Sequence, residues 1–123
     1  MEKYNKTIGN FGEEAATKFL MEKGYKILIR NYSCRFGEID IIAIEDNCLV
    51  FIEVKTRTNL KYGAPEYAVN YWKQKHLSLS ARCYIEQYRM NNYFARFDVV
   101  EVFAKSADNS FDVENINIIK NAF

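Results

Sequence analysis

Two apolar segments separated by only three polar residues constrain this chain more than any other feature of its sequence. Residues 38–44 (EIDIIAI) and 48–56 (CLVFIEVKT) are each long enough for a strand, and Glu45-Asp46-Asn47 joins them. A short polar break between such runs indicates an antiparallel hairpin. If Asp46 and Asn47 are the two central turn residues, the residue numbers of cross-strand partners sum to 93, which is 46 plus 47.

This register places acidic side chains at opposed positions. Asp40 is predicted opposite Glu53, and Glu38 opposite Lys55, with directly opposed Cβ atoms about 4.5–5.5 Å apart. Two opposed carboxylates repel each other, so a pair set among apolar runs calls for a partner of opposite charge. Mg²⁺ prefers oxygen ligands and commonly takes one or two carboxylates, and the backbone carbonyl of Val54 is a further candidate ligand.

Glu53 and Lys55 are two residues apart on a predicted strand, so both side chains point to the same face. In a phosphodiesterase site, Lys55 would orient the attacking water or help to deprotonate it, and would offset charge in the transition state. The alternative is a surface ion pair on a solvated strand edge, because this spacing of acid and lysine is common. A three-residue loop would also shift the register by one and place the two acids on opposite faces.

Composition describes an ordinary globular protein and does not identify a partner. The 123 residues suit one domain, 1–123, and 49% are apolar while 27% are charged. No apolar run reaches the roughly 18 residues of a membrane span, and we expect no secretory signal. Three widely spaced cysteines and one histidine predict neither zinc nor disulfides and indicate the cytoplasm. The net charge of +1 neither supports nor excludes nucleic acid.

Periodicity along the remaining sequence predicts an α/β fold with a mixed sheet flanked by helices. A long second helix is expected from Pro65 to about Tyr88, because proline suits the first helical position. Four of its residues are predicted to lie on one side of it, which are Val69, Trp72, Leu79 and Cys83. The predicted order is α-β-β-β-α-β-β, from a helix at 7–23, strands at 25–32, 38–44 and 48–56, the second helix, and strands at 96–103 and 113–119.

Several motifs together resemble the YraN-like family of small bacterial proteins over nearly the whole chain. That family is identified as a member of the PD-(D/E)XK, or restriction endonuclease-like, nuclease superfamily and is similar to archaeal Holliday junction resolvases. The resemblance implies an αβββαβ core with a metal site on the central hairpin. The motifs are Gly9-x-x-Gly12-Glu13, Gly24-Tyr25, Asn31-Tyr32, Gly37-Glu38-Ile39-Asp40, Phe51-Ile52-Glu53-Val54-Lys55-Thr56-Arg57 and Arg96-Phe97-Asp98.

The resemblance also implies roles for individual residues. Asp40, Glu53 and Lys55 take the places of the D, the D/E and the K of the superfamily motif. Glu13 takes the place of the acidic residue on the first helix, and its neighbour Glu14 is the alternative because spacing alone does not choose between them.

The implied activity is Mg²⁺- or Mn²⁺-dependent cleavage of DNA, including branched or flap structures in recombination or repair. Cleavage of a junction would require a homodimer that places two sites on two strands. An alternative from another class is a nuclease-derived module that binds nucleic acid or a protein without cleaving it. A third interpretation is RNA processing by the same chemistry.

Basic residues near the hairpin are candidates for phosphate contacts. Arg35, Arg57 and Lys61 are placed at the rim of the expected site. In related nucleases a Gln or Lys on the following helix reaches the site, which points to Lys73 or Gln74, although each also suits a solvated surface. The aromatic set of Tyr67, Tyr71, Trp72, Tyr84 and Tyr88 would suit base stacking, but its helical spacing favours a core or dimer contact.

Overall fold

The predicted order of two helices and five strands is confirmed over the part of the chain that the structure describes. The structure is a computed structural model that describes residues 2–58 and 70–123, with the side chains of the first helix described from Thr7. Neither helix, over these residues, is long and apolar enough to cross a membrane. The elements are α1 (Glu2–Glu22), β1 (Lys26–Cys34), β2 (Gly37–Glu45), β3 (Cys48–Arg57), α2 (Tyr71–Tyr88), β4 (Phe94–Ala107) and β5 (Ser110–Ile119).

The strands form one mixed sheet in the order β1-β2-β3-β4-β5. Neighbouring strands are antiparallel except β3 and β4, which pair in parallel from Cys48–Phe94 to Arg57–Phe103 without a register shift. A parallel neighbour requires a crossover connection, and α2 lies in the connection between these two strands. The sheet therefore places the end of β3 directly beside the middle of β4.

Each face of the sheet carries its own apolar cluster. Leu49 and Phe51 pack with the buried side of α2, whereas Val50 and Ile52 pack with Leu20 of α1. Because both faces are covered, the central strands are continuous apolar runs without the alternation of a half-exposed sheet. Successive side chains point to opposite faces, so the functional residues at the end of β3 are divided between the two faces.

The second helix is shorter than predicted at its N-terminal end. Asn70 has an extended backbone (φ −67°, ψ 166°), and its side chain accepts a hydrogen bond from the backbone N–H of Lys73. This is N-cap geometry, so a helix cannot run through Asn70 and α2 begins at Tyr71. The predicted start at Pro65 lies outside the described residues.

The side of α2 that packs against the sheet is not the side that carries the predicted set. Trp72 is exposed, Leu79 and Cys83 are only half-buried, and Val69 lies outside the described residues. Trp72, Leu79 and Cys83 share one side of the helix, but the side that packs against the sheet lies next to it. The spacing of the apolar residues therefore did not predict which side of the helix is buried. The buried residues of α2 are Leu77, Ser80, Ala81 and Tyr84.

A closed network of charges explains the Arg96-Phe97-Asp98 motif. Asp98 is fully buried and accepts hydrogen bonds from Arg96 at 2.8 and 2.9 Å, from Tyr25 Oη at 3.1 Å and from the backbone N–H of Asn121 at 3.0 Å. Arg96 also donates to Glu45 at 2.7 Å, and hydrogen bonds to these carboxylates raise the pKa of its guanidinium. Because every charge has a partner, this motif ties β4 to the start of β1 and to the C-terminal residues.

Helix α1 comes closest to the sheet at Gly12. A Cβ atom built on this residue would lie 2.8 Å from both Cβ and Cγ2 of Thr56 on β3, whereas a Cβ atom on Gly9 would meet nothing within 4 Å. Only glycine therefore allows this approach, which brings the first helix against the end of β3.

We predict that Gly12→Ala destabilises the protein by about 2 kcal/mol, because the added methyl forces α1 away from Thr56. The matched change Gly9→Ala should be neutral or stabilising by up to about 1 kcal/mol, because alanine is the better helix former. Urea denaturation of both variants tests this difference. Equal effects of the two substitutions would contradict the close approach of α1 to β3.

Candidate active site

The register of the central hairpin matches the prediction over the part that is paired. The ladder between β2 and β3 consists of five pairs that run from Glu45–Cys48 to Ile41–Ile52, and each pair sums to 93. Asp46 in the turn has a left-handed backbone with φ 55°, as a tight two-residue turn requires. The polar break thus determines which residues of the two strands face each other.

The ladder ends before it reaches the acidic residues, so the predicted pairs Asp40–Glu53 and Glu38–Lys55 are not formed. Glu38 pairs with β1 instead. The Asp40 carboxylate takes the place of a strand partner, since its Oδ2 atom accepts a hydrogen bond from the backbone N–H of Val54 at 2.8 Å. The two strands diverge at this point, and the Asp40 side chain bridges the gap.

A break in the alternation of β2 causes this divergence. Ile39 and Ile41 are both fully buried, but Ile39 belongs to the cluster beneath α2 and Ile41 to the cluster beneath α1. Residues two apart in a regular strand share a face, so the strand is irregular at Asp40. On the neighbouring strand, Asn31 has a left-handed backbone with φ 55°. Both strands are therefore locally twisted beside the acidic residue.

Asp40 and Glu53 nevertheless come into contact as a carboxylate pair. Burial raises the pKa of Asp40, and a hydrogen bond with Glu53 and the charge of Glu53 raise it further, to about 8. The hydrogen bond from the N–H of Val54 lowers the pKa of Asp40, and the charge of Glu13 raises it. The side chain of Glu53 is only 12% exposed. The Asp40 carboxyl therefore has a pKa well above that of an ordinary aspartate, because its ionised form lies close to a second acid in a poorly solvated position.

Asp40 opens onto a cleft of about 400 Å³ between α1 and the end of β3. This volume holds several water molecules, so the cleft has room for a hydrated ion. The lining combines two acids with backbone and small polar groups, and consists of Ile8, Gly9, Asn10, Glu13, Asp40, Val54 and Thr56.

The structure distinguishes the two glutamates of α1. Glu13 lines the cleft and is held by Arg30 through atoms at 3.1 and 3.2 Å and by the Asn31 amide at 2.9 Å. Glu14 binds the same Arg30 at 3.0 Å, but its side chain is 55% exposed and borders a different pocket. Of the two glutamates, Glu13 is thus the neighbour of Asp40. Arg30 and Asn31 were not predicted as site residues from the sequence, although the Asn31-Tyr32 pair is one of its motifs.

The pair of Asp40, which lines the cleft, and Glu53, which contacts it, suits a hydrated divalent cation held by two carboxylates. Among the described residues, no three His, Cys, Asp or Glu side chains are grouped closely enough to hold a metal between them. Asp40 and Glu53 form the pair, while Glu13 is engaged by Arg30. Mg²⁺ commonly takes one or two carboxylates and fills its remaining positions with water and substrate oxygens. The residues therefore fit Mg²⁺ or Mn²⁺ without a third carboxylate ligand.

The face of β3 that looks toward α2 carries the basic residues. The Lys73 Nζ atom lies 3.1 Å from a carboxylate oxygen of Glu53, which brings the first turn of α2 to the acid pair. Lys55 follows Glu53 on the same face and is half-buried.

Glu101 lies near this face and was not predicted from the sequence. It is fully buried and is the register partner of Lys55 on the parallel strand β4. Among the described residues, neither of its carboxylate oxygens has a hydrogen-bond partner, and Arg57 Nε lies 4.0 Å away. An acid isolated in the apolar run of residues 99–104 was the available signal.

The other predicted phosphate contacts are placed less closely. Arg35 lies in the turn between β1 and β2, where its guanidinium covers the ring of Phe36 at 4.7 Å. Gln74 is half-buried in the first turn of α2, one residue after the lysine that contacts Glu53. Lys61 lies outside the described residues.

Comparison with known proteins identifies a family for this chain. The sequence model described as "Uncharacterised protein family UPF0102" matches residues 12–102. A UPF0102 protein of Caldicellulosiruptor saccharolyticus is 48% identical over 94% of this chain and 96% of its own length. A UPF0102 protein of Caldanaerobacter subterraneus subsp. tengcongensis is 44% identical over the full length of both chains. These matches confirm the resemblance at the level of the family, and the chain belongs to the UPF0102 family.

Proposed function

We propose that this protein is a divalent-metal-dependent phosphodiesterase that cleaves DNA, with a PD-(D/E)XK site at Asp40, Glu53 and Lys55. The observation that carries the proposal is the contact between two carboxylates that raises the pKa of Asp40 to about 8. Repelling acids in a half-buried position destabilise a fold unless another group offsets their charge. A divalent cation offsets both charges at once.

The topology supports the same proposal. The metal site of a restriction endonuclease-like αβββαβ core is expected on the central hairpin, after a first helix and before a crossover to a further strand. Here α1 precedes β1 to β3, α2 follows, and β4 is parallel to β3. The acid pair lies where the β2–β3 ladder ends, and the basic end of β3 lies against β4.

Each residue of the proposed site has a distinct role. When bound by Asp40 and Glu53, Mg²⁺ or Mn²⁺ would polarise the phosphate and its bound water. Lys55 orients the attacking water and offsets negative charge that develops on the phosphate. Glu13 adds negative charge beside Asp40 and fixes Arg30, so that it supports the cleft without binding the metal directly.

Basic side chains around the acid pair suit the phosphate backbone of DNA. Lys73 already reaches Glu53, so it stands close enough to contact a phosphate held at the site. Arg57 lies at the end of the same strand as Lys55, and its side chain is 33% exposed. For branched or flap substrates such contacts would position the scissile strand, and a junction would require a second copy of the chain.

A nuclease-derived binding module is the second candidate function, and one contact favours it. Lys73 forms an ion pair with Glu53 at 3.1 Å, so a lysine already offsets one of the two acids. Such a module would bind DNA, with the steep salt dependence that phosphate contacts produce, but would not cleave it. Cleavage assays separate the two candidates.

We predict that the protein cleaves at least one member of a panel of labelled duplex, flap, single-stranded and four-way-junction DNAs in Mg²⁺ or Mn²⁺. Lys55→Ala should lower the rate about 100-fold, because the residue acts on the developing charge. Lys26→Ala is the matched control, since Lys26 is exposed at the far end of β1. Absence of cleavage despite metal binding would favour the binding module, and equal cleavage by the Lys55 variant would indicate a contaminant.

The acid pair also predicts how stability depends on pH. The pKa of Asp40 rises from 3.8 to about 8 on folding. Between these values the folded protein holds one more proton than the unfolded chain, so the free energy of unfolding falls as pH rises through this window. Asp40→Asn removes this ionisation. The substitution should stabilise the protein at about pH 8 by on the order of 2 kcal/mol more than at about pH 5.

The same substitution should abolish Mg²⁺ binding in calorimetry, whereas Asp108→Asn, in an exposed turn, should change neither stability nor binding. A gain in stability together with a loss of metal binding would show that the acid pair is retained for function. Unchanged metal binding in Asp40→Asn would contradict the assignment of the site.

A further inference from the structure

Two large aromatic side chains stand exposed in the first turn of α2. Tyr71 is 69% exposed and Trp72 is 67% exposed, and their ring centroids are 5.7 Å apart with the rings edge to face. The apolar cluster beneath α2 is formed by its opposite side, so these rings do not contribute to the core. Exposed aromatic pairs of this kind mark a surface that contacts another molecule.

Two lysines follow the aromatic pair in the same turn of the helix. The Lys75 Nζ atom lies 5.9 Å from the centroid of the Trp72 ring, and the intervening Lys73 forms the ion pair with Glu53 at 3.1 Å. The aromatic pair is thus adjacent in the helix to the residue that contacts the proposed catalytic acids. A ligand at this surface would meet aromatic faces and positive charge within one turn of helix.

We propose that Tyr71 and Trp72 form a stacking platform for unpaired bases beside the scissile phosphate. Every base has a π-face that stacks on an aromatic ring, and nearby lysines bind the phosphates between the bases. Bases inside a duplex are stacked on each other and do not offer these faces. The platform therefore selects DNA with single-stranded nucleotides next to the cleavage site, such as a flap or an open junction. This inference rests on the proposed nuclease function and specifies its substrate.

The platform has a direct spectroscopic probe, because Trp72 is the single tryptophan of the chain. Its fluorescence would be followed while the full-length protein is titrated with oligothymidine, a blunt duplex and the same duplex with a single-stranded flap. Ca²⁺ replaces Mg²⁺ in these titrations to limit cleavage. Anisotropy of a label on the DNA measures binding independently of the tryptophan.

We expect oligothymidine and the flap substrate to quench Trp72, and the blunt duplex to leave its fluorescence nearly unchanged. Trp72→Ala and Tyr71→Ala should each weaken binding of the flap substrate about tenfold, with little change for the blunt duplex. Phe94→Ala is the matched control, because this aromatic residue is also 69% exposed but lies at the start of β4. It should bind all three DNAs as the unaltered protein does.

Four results would overturn the platform. Flap binding without quenching, or with unchanged affinity in Trp72→Ala, would refute stacking while leaving the proposed nuclease function intact. A dimer in sedimentation that Trp72→Ala converts to a monomer would identify the surface as a contact between copies of the chain. Absence of binding to any of the DNAs would overturn the platform and the proposed function together.

Discussion

The geometry of the candidate site depends on the early end of the β2–β3 ladder. Regular pairing stops at Ile41–Ile52, and beyond it the Asp40 carboxylate accepts the hydrogen bond of the Val54 N–H at 2.8 Å. A continued ladder would give the Val54 N–H a backbone partner on β2 in place of the Asp40 carboxylate. Divergence instead lets Asp40 line the cleft of α1 while its carboxylate still contacts Glu53.

The protein contains one group of acids that is neutralised by its partners and one pair of acids that is not. The Asp98 network is closed, because Arg96, Tyr25 and Asn121 together satisfy a fully buried carboxylate. Such a network stabilises a fold only when every member is paired. The Asp40–Glu53 pair retains mutual repulsion that the surrounding residues do not remove, as the raised pKa of Asp40 shows. Groups held in an unfavourable ionisation state concentrate at functional sites.

The proximity of Asp40 and Glu53 was predictable because a short turn fixes the register of a hairpin, although the ladder ends one pair before them. The position of Asp46 and Asn47 was enough to relate Asp40 to Glu53, although they lie in different segments. Positive φ at Gly24, just past the end of the first helix, follows from residue type in the same way, because glycine adopts this conformation readily. These features depend on local chemistry that the sequence displays directly.

Other features depend on contacts between distant residues. Asn31 has a left-handed backbone, and the neighbouring strand is irregular at Asp40. Neither residue type predicts its conformation without the contact between the two strands. The rotation that exposes Trp72 follows from which side of α2 fits the sheet. The buried position of Glu101 depends on the parallel pairing of β3 and β4, which a crossover brings about.

Crystals of the protein grown with Mn²⁺ and measured at the manganese absorption edge would test the central claim most directly. We expect an anomalous peak at coordination distance, about 2.2 Å, from carboxylate oxygens of both Asp40 and Glu53. Lys73 should then have moved away from Glu53, since the metal takes over its charge. Manganese bound elsewhere, or no peak while the two carboxylates keep their mutual contact, would contradict the assignment of this cleft as a metal site.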